Sequence, residues 1–137
     1  MDSAFLHLLQ TTDSAFPVGG FAHSYGLEGL VQAGLVDTPA ELDQRLHDTW
    51  LPILATAVFP LFRLSGDAAM EDAALFRIDQ LAWAARATGE SRKAQQSMGI
   101  QRLNLVARLT GHPRITTLSD AARAKQWMAN WPSVWGV

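Results

Sequence analysis

The sequence predicts an all-α fold on three observations: helix punctuation at almost every boundary in its middle, apolar residues at helical spacing between those marks, and no run of strand-like alternation. The clearest helix start is Thr38-Pro39-Ala40-Glu41, an N-cap threonine, a proline at the first helical position and a glutamate able to bond back to the cap. From it Leu42, Leu46, Trp50, Ile53 and Ala57 form a stripe that is expected to face inward. Pro52 and Pro60 lack an amide hydrogen, so a kink or break is expected near one of them.

A second helix is expected over Glu71 to Thr88, with Leu75, Ile78, Ala82 and Ala85 on one face and a stop at Gly89. The next runs from about Glu90 to Thr110, carries Ala94, Met98, Leu105 and Leu109, and closes at Gly111-His112-Pro113. Ser119 is expected to cap a shorter helix through Ala129. Trp127, Trp131 and Trp135 would form an aromatic ridge on a helix that Pro132 interrupts. Such a ridge either folds back onto the chain's own helices or needs packing elements that the chain lacks. No linker, repeat or low-complexity stretch divides residues 1–137, which predicts a single compact helical domain.

With 137 residues, 48% hydrophobic and 18% charged, the chain has the makings of a buried core and not of a disordered tail. Eleven basic against thirteen acidic side chains give a net charge of -2, without the basic field that holds nucleic acid. The absence of cysteine excludes a disulfide framework, a thiolate metal site and a cysteine nucleophile, and fits a cytoplasmic location. The first residues, Met1 to His7, carry an acid and no basic region, unlike a signal peptide. The uncharged apolar run Trp50 to Phe62 is shorter than the ~20 residues a spanning helix needs. It is read as buried core, with no membrane span.

The stretch from Leu8 to Glu28 carries the most information. Asp13 and Ser14 can bond to nearby amides, Pro17 fixes its own φ, and Gly19-Gly20 allows left-handed geometry, which together imply a rigid turn. Beyond it Ala22, Gly26, Gly29 and Ala33 put small residues on one side of a short helix, where another helix could approach closely. The glycines are followed by Phe21-Ala22-His23, not by the lysine of a phosphate loop, and their spacing does not match a dinucleotide fingerprint. Ser24 beside His23 lacks the Gly-x-Ser-x-Gly elbow of a hydrolase, and no catalytic residue is assigned. The histidines His7, His23, His47 and His112 form no ligand pair. His23, near Asp13 and Glu28, is the candidate if a metal or small ligand binds at the glycine turn; the plainer reading makes it a packed, hydrogen-bonded histidine.

The run Leu8, Leu9, Gln10, Asp13, Ser14, Phe16, Pro17, Gly19, Phe21, His23, Ser24, Gly26, Leu27 and Glu28, with Tyr25 inside it, resembles the opening of the urease accessory protein F (UreF) family. Glu90 to Leu103 is similar to that family's Glu-x-Arg-x-Ala-x-x-x-Met-Gly helix, through Glu90, Arg92, Ala94, Met98 and Gly99. Asn130 to Val137 is similar to its His-x-Pro-x-x-Phe-Gly segment, with Asn130 where histidine is usual. The resemblance implies about six helices from the front part of a fold that continues into further C-terminal helices, absent here. It implies a non-enzymatic maturation factor that dimerises and bridges a UreD/UreH-type scaffold and a UreG-type GTPase on apo-urease. Nickel would be handled by the complex and GTP by the partner, with no cofactor of the chain's own. The first-motif residues, together with Arg92, Met98 and Gly99, are the candidate partner-binding set. Arg92 stands there for its several donors and Gly99 for close approach, against the plainer reading of Arg92 as a solvated helix charge.

Overall fold

The computed structural model describes residues 3–20, 24 and 26–137, and among them the chain forms seven helices and no strand. These are α1 (Ser3–Thr12), α2 (Leu27–Gln32), α3 (Pro39–Asp67), α4 (Asp72–Ala84), α5 (Gly89–Thr110), α6 (Pro113–Arg123) and α7 (Trp131–Trp135). The all-α expectation holds, with one helix more than expected.

Helix α3 starts as its sequence requires. The Thr38 hydroxyl accepts from the Glu41 amide at 3.3 Å, and the Glu41 carboxylate accepts from the amides of Asp37 and Thr38 at 2.8 and 2.9 Å. These bonds hold the Glu41 carboxyl below its ordinary value, the backbone bond from Asp37 most strongly. The helix then continues through both prolines without the expected break. Regular turns give way to wider π turns at Leu46–Trp50 and Leu54–Val58, one just before each interior proline. In a regular turn the proline ring strikes the carbonyl four residues back, and a wider turn relieves that contact. The carbonyl of Pro52 accepts from the Thr56 hydroxyl at 2.7 Å.

The core lies among α4, α5, α6 and the segment leading into α7. Leu75, Leu103, Ile115, Leu118, Ala122, Trp127, Ala129 and Val134 form it, each leucine contributing about 1.5–3 kcal/mol by leaving water. Gly111, with φ 61°, ends α5 as expected, and Pro113 opens α6. Arg114 fastens the start of α6 to the α3–α4 corner, donating to the Ala69 carbonyl at 2.6 and 2.9 Å and pairing with Asp72 at 2.6 Å. The tryptophans fold back onto the chain's own helices: Trp127 stacks on Phe76 at 5.4 Å, and Trp135 lies against Phe62 at 6.2 Å and Trp131 at 5.5 Å.

Four sequence expectations are corrected. Gly89 does not stop α4, which ends at Ala84; it opens α5 behind Thr88, whose hydroxyl accepts from the Ser91 amide at 3.1 Å. Ser119 caps nothing, because α6 already starts at Pro113; its buried hydroxyl donates to Asn104 on α5 at 2.9 Å. Gly29 meets no neighbouring element, and Gly26, with φ 94°, serves as the left-handed cap of α2. The run from Trp50 to Phe62 is not core. Helix α3 is long and apolar enough by composition to cross a membrane, and only 11% of its most apolar stretch is buried.

The lowered Glu41 pKa makes the α3 cap pH-dependent. A carboxyl whose folded pKa is depressed contributes stability that is present above its unfolded value of 4.5 and is lost as pH falls through the lower folded value. Glu41→Gln should reduce the loss of stability between pH 5 and 3, measured by denaturant midpoints, roughly in proportion to this one group's share.

Candidate interaction site

The site is built from α5 outward, because the segments that carry the family resemblance meet along it. On one flank stands Asp79 of α4, buried and facing the segment that enters α7. Its carboxylate accepts from the amides of Met128, Ala129 and Asn130 at 2.9, 3.0 and 2.7 Å. It also accepts from the Asn130 side-chain amide at 2.9 Å and from the Ser133 hydroxyl. Three consecutive amides converging on one carboxylate form an anion nest that the chain fills with its own side chain. The convergence requires left-handed backbone at Ala129, whose φ is 54°. An alanine there costs about 1–2 kcal/mol, which the charge-assisted bonds offset.

The turn so held lies against Gly99 of α5. A Cβ at Gly99 would strike the Ala129 carbonyl oxygen and come within 2.9 Å of its carbonyl carbon, so the close approach needs glycine. Gly136 plays the same part against α3, where an added Cβ would come within 2.6 Å of Ser65. Asn130, standing where the family usually has histidine, is fully buried and donates its amide to the main-chain carbonyl of Asp79 at 3.1 Å as well as to its carboxylate. Among the described residues its side-chain oxygen has no partner.

On the other flank the first motif folds onto α5. Asp13 accepts from the Ala15 amide at 2.7 Å, and its carbonyl accepts from the Phe16 amide at 3.0 Å, closing the rigid turn that the sequence implied. Phe16 and Val18 are buried, Gly19 takes φ 80° beside Gln101, and Gly20 sits beside the Met98 sulfur. Arg102 joins the pieces. Its guanidinium donates to the Thr11 carbonyl at 3.4 Å and lies 3.8 Å over the ring of Trp135. Burial pushes it down to about 10, so it remains cationic at neutral pH. No acidic side chain among the described residues pairs with it.

The sequence-predicted residues thus divide. Phe16, Gly19, Met98 and Gly99 gather at α5, and Met98 and Gly99 are interior. Asp13, Ser14, Pro17, Gly26 and Glu28 are exposed, with Ser24 and Leu27 half-buried. His23 and Tyr25 lie outside the described residues, as does Phe21. Arg92 is half-buried, donating to the Arg86 carbonyl at 2.8 Å with its guanidinium 5.9 Å from the Trp83 ring, so it ties α4 to α5 and is not simply solvated. Arg102 and Asp79 escaped the sequence reading. Arg102 stood inside the second motif, but nothing marked it as buried, and Asp79 looked like any helix-surface acid. No cluster of metal-ligating side chains occurs among the described residues.

Apolar surface is left uncovered beside this junction. In α1, Phe5, Leu6, Leu8 and Leu9 are all 49–51% exposed, and on α3 Leu51, Ile53, Phe59 and Leu64 are likewise open. The α3 stripe expected to be core lines a groove of about 710 Å³, with Leu42, Leu46, Trp50 and Ile53 facing Leu27 and Trp131. Large apolar side chains are thus open to solvent on both helices.

The UreF family model matches residues 36–137, most of the helical body described above. The chain belongs to the UreF family. Its similarity to curated members also takes in the first motif. The urease accessory protein UreF of Actinobacillus pleuropneumoniae serotype 3 is 29% identical over 138 residues, covering 98% of this chain and 59% of that protein. That of Haemophilus influenzae strain PittEE is 30% identical over 137 residues, covering 98% and 57%. The urease accessory protein F of Oryza sativa subsp. indica is 36% identical over 98 residues, 72% of this chain and 37% of that protein. The chain therefore spans well under two thirds of the length of these relatives. No solved structure matches it significantly.

Two substitutions test the junction. Asp79→Ala leaves the buried main-chain amides of Ala129 and Asn130 without their acceptor, while Ser133 keeps the Asn130 carbonyl, and should cost about 3–5 kcal/mol, read from chemical denaturation. Arg102→Leu removes the polar tie between α5 and residues 8–20. Limited proteolysis should then cut that segment several-fold faster, while global stability changes by less than about 1.5 kcal/mol because an unpaired buried cation is also removed.

Proposed function

We propose that this chain is a urease accessory factor that works through protein surfaces, as one helical domain over residues 1–137 and without catalytic residues of its own. It bridges a UreD/UreH-type scaffold and a UreG-type GTPase on apo-urease in the cytoplasm, acting as a homodimer. Nickel is handled by the assembled complex, and GTP is bound and hydrolysed by the partner. The observation that carries this reading is the apolar surface left open on α1 and α3, which includes the helix face that the sequence marks for burial. In a chain of the UreF family, whose curated relatives are named urease accessory proteins, such a face is suited to a protein partner.

Deletion of the encoding gene, in a source strain with no second copy, should leave urease polypeptide present but low in nickel and activity, measured by metal analysis and urea hydrolysis. The wild-type gene should restore both, whereas Leu51→Glu with Ile53→Glu should not, and the variant should lose co-purifying partners while keeping its helical content. Normal nickel-loaded urease in the deletion strain would overturn the proposal.

A further inference from the structure

On the flank of the junction, a second cleft of about 540 Å³ opens between α4, α5, the end of α6 and residues 125–128. Its floor is apolar, made by Phe76 and Ile100, which pack against the core without being fully buried. Its walls carry the carboxamides of Gln80, Gln96 and Gln126, and none of the three has a hydrogen-bond partner among the described residues. Two cations, Arg123 and Lys125, stand at its rim. Arg123 is engaged with Asn104 at 2.9 and 3.1 Å and with Asp120 at 3.2 Å, whereas Lys125 has no ion pair among the described residues. The single lining carboxylate, Asp79, is occupied by the five donors described above. The cleft therefore presents positive charge and unused amide groups above an apolar floor.

The backbone that places Lys125 is unusual for the residue it holds. Helix α6 ends with the Lys125 amide bonded to the Ala122 carbonyl at 3.1 Å and the Gln126 amide to the Ala121 carbonyl at 2.9 Å. That is the paired-bond helix stop whose left-handed position normally belongs to glycine. Here φ is 58° and the residue is lysine. A side chain is kept at a conformational cost in the place where glycine would fit best, and its ammonium is left unpaired at the cleft.

The geometry points to a docking cleft for an acidic peptide segment of a partner protein. One apolar side chain of the segment rests on Phe76 and Ile100, its main chain bonds to the glutamine amides, and a flanking carboxylate pairs with Lys125. Charge complementarity selects this occupant, since a basic segment would meet the unpaired Lys125 with no free carboxylate in the cleft to receive it, the Arg123 charge being already matched by Asp120. The inference does not rest on a role in urease assembly, and its test uses the purified chain alone.

Calorimetric titration with two capped peptides, one of glutamate and leucine and one of lysine and leucine, reads the selectivity directly. The acidic peptide should bind at least about tenfold more tightly than the basic one and weaken as salt rises. Lys125→Gly should weaken acidic-peptide binding by about tenfold while raising the melting temperature, because glycine relieves the left-handed position. Gln96→Leu, with the lysine retained, should also weaken binding. Equal affinity for the two peptides, binding of neither, or unchanged affinity in Lys125→Gly with helical content preserved would overturn the proposal.

Discussion

The bonds converging on Asp79 are the constraint around which the rest of the site is arranged. One buried carboxylate of α4 collects three successive main-chain amides, a side-chain amide and a hydroxyl from residues 128–133. Without an acceptor, those groups could not enter the interior, because each unpaired buried donor costs on the order of 1–3 kcal/mol. With it, the segment turns sharply at Ala129, α7 is delivered against α3 and α5, and Trp127, Pro132 and Val134 are drawn inward. Aromatic packing then follows from a polar contact. The chain end folds back because a carboxylate holds its root.

Two close approaches complete that arrangement, and both depend on the absence of a side chain. Gly99 admits the Ala129 carbonyl to the surface of α5, and Gly136 lets the end of the chain pass over Ser65 and Gly66 of α3. Arg102 then lies between the first motif and the last, touching Thr11 on one side and Trp135 on the other. Trp135 is positioned by packing and not by hydrogen bonding, since its indole nitrogen is buried without a partner among the described residues. Segments far apart in sequence thus share one helix, α5, as their common support.

Polar interior contacts and bare exterior helices are two sides of the same division. Where α4 to α7 pack together, buried polar groups such as Asp79 and Ser119 are matched to partners. Where α1, α2 and α3 face outward, apolar side chains are left open. Helix α3 is held by its cap and by wide turns at its prolines, so it keeps its form without covering its apolar stripe. The chain spans 57–59% of the length of two of its curated relatives.

What the sequence determined by itself was whatever depends on near neighbours. The helical class, the cap at Thr38-Pro39-Ala40-Glu41, the stop at Gly111 and the turn at Asp13 are local, because the groups that bond lie within a few residues of one another. The family also was legible, since its motifs are runs of special residues. Tertiary structure decided the rest. The stop at Lys125 carries no glycine to announce it, so Ser119 looked like a helix start when it was already inside α6 and bonded to α5. The stripe on α3 had the spacing of a buried face, but spacing states only that residues share a side, and burial requires a neighbour that the described residues do not place there. Asp79 and Arg102 became recognisable only once partners some fifty and ninety residues away were brought against them.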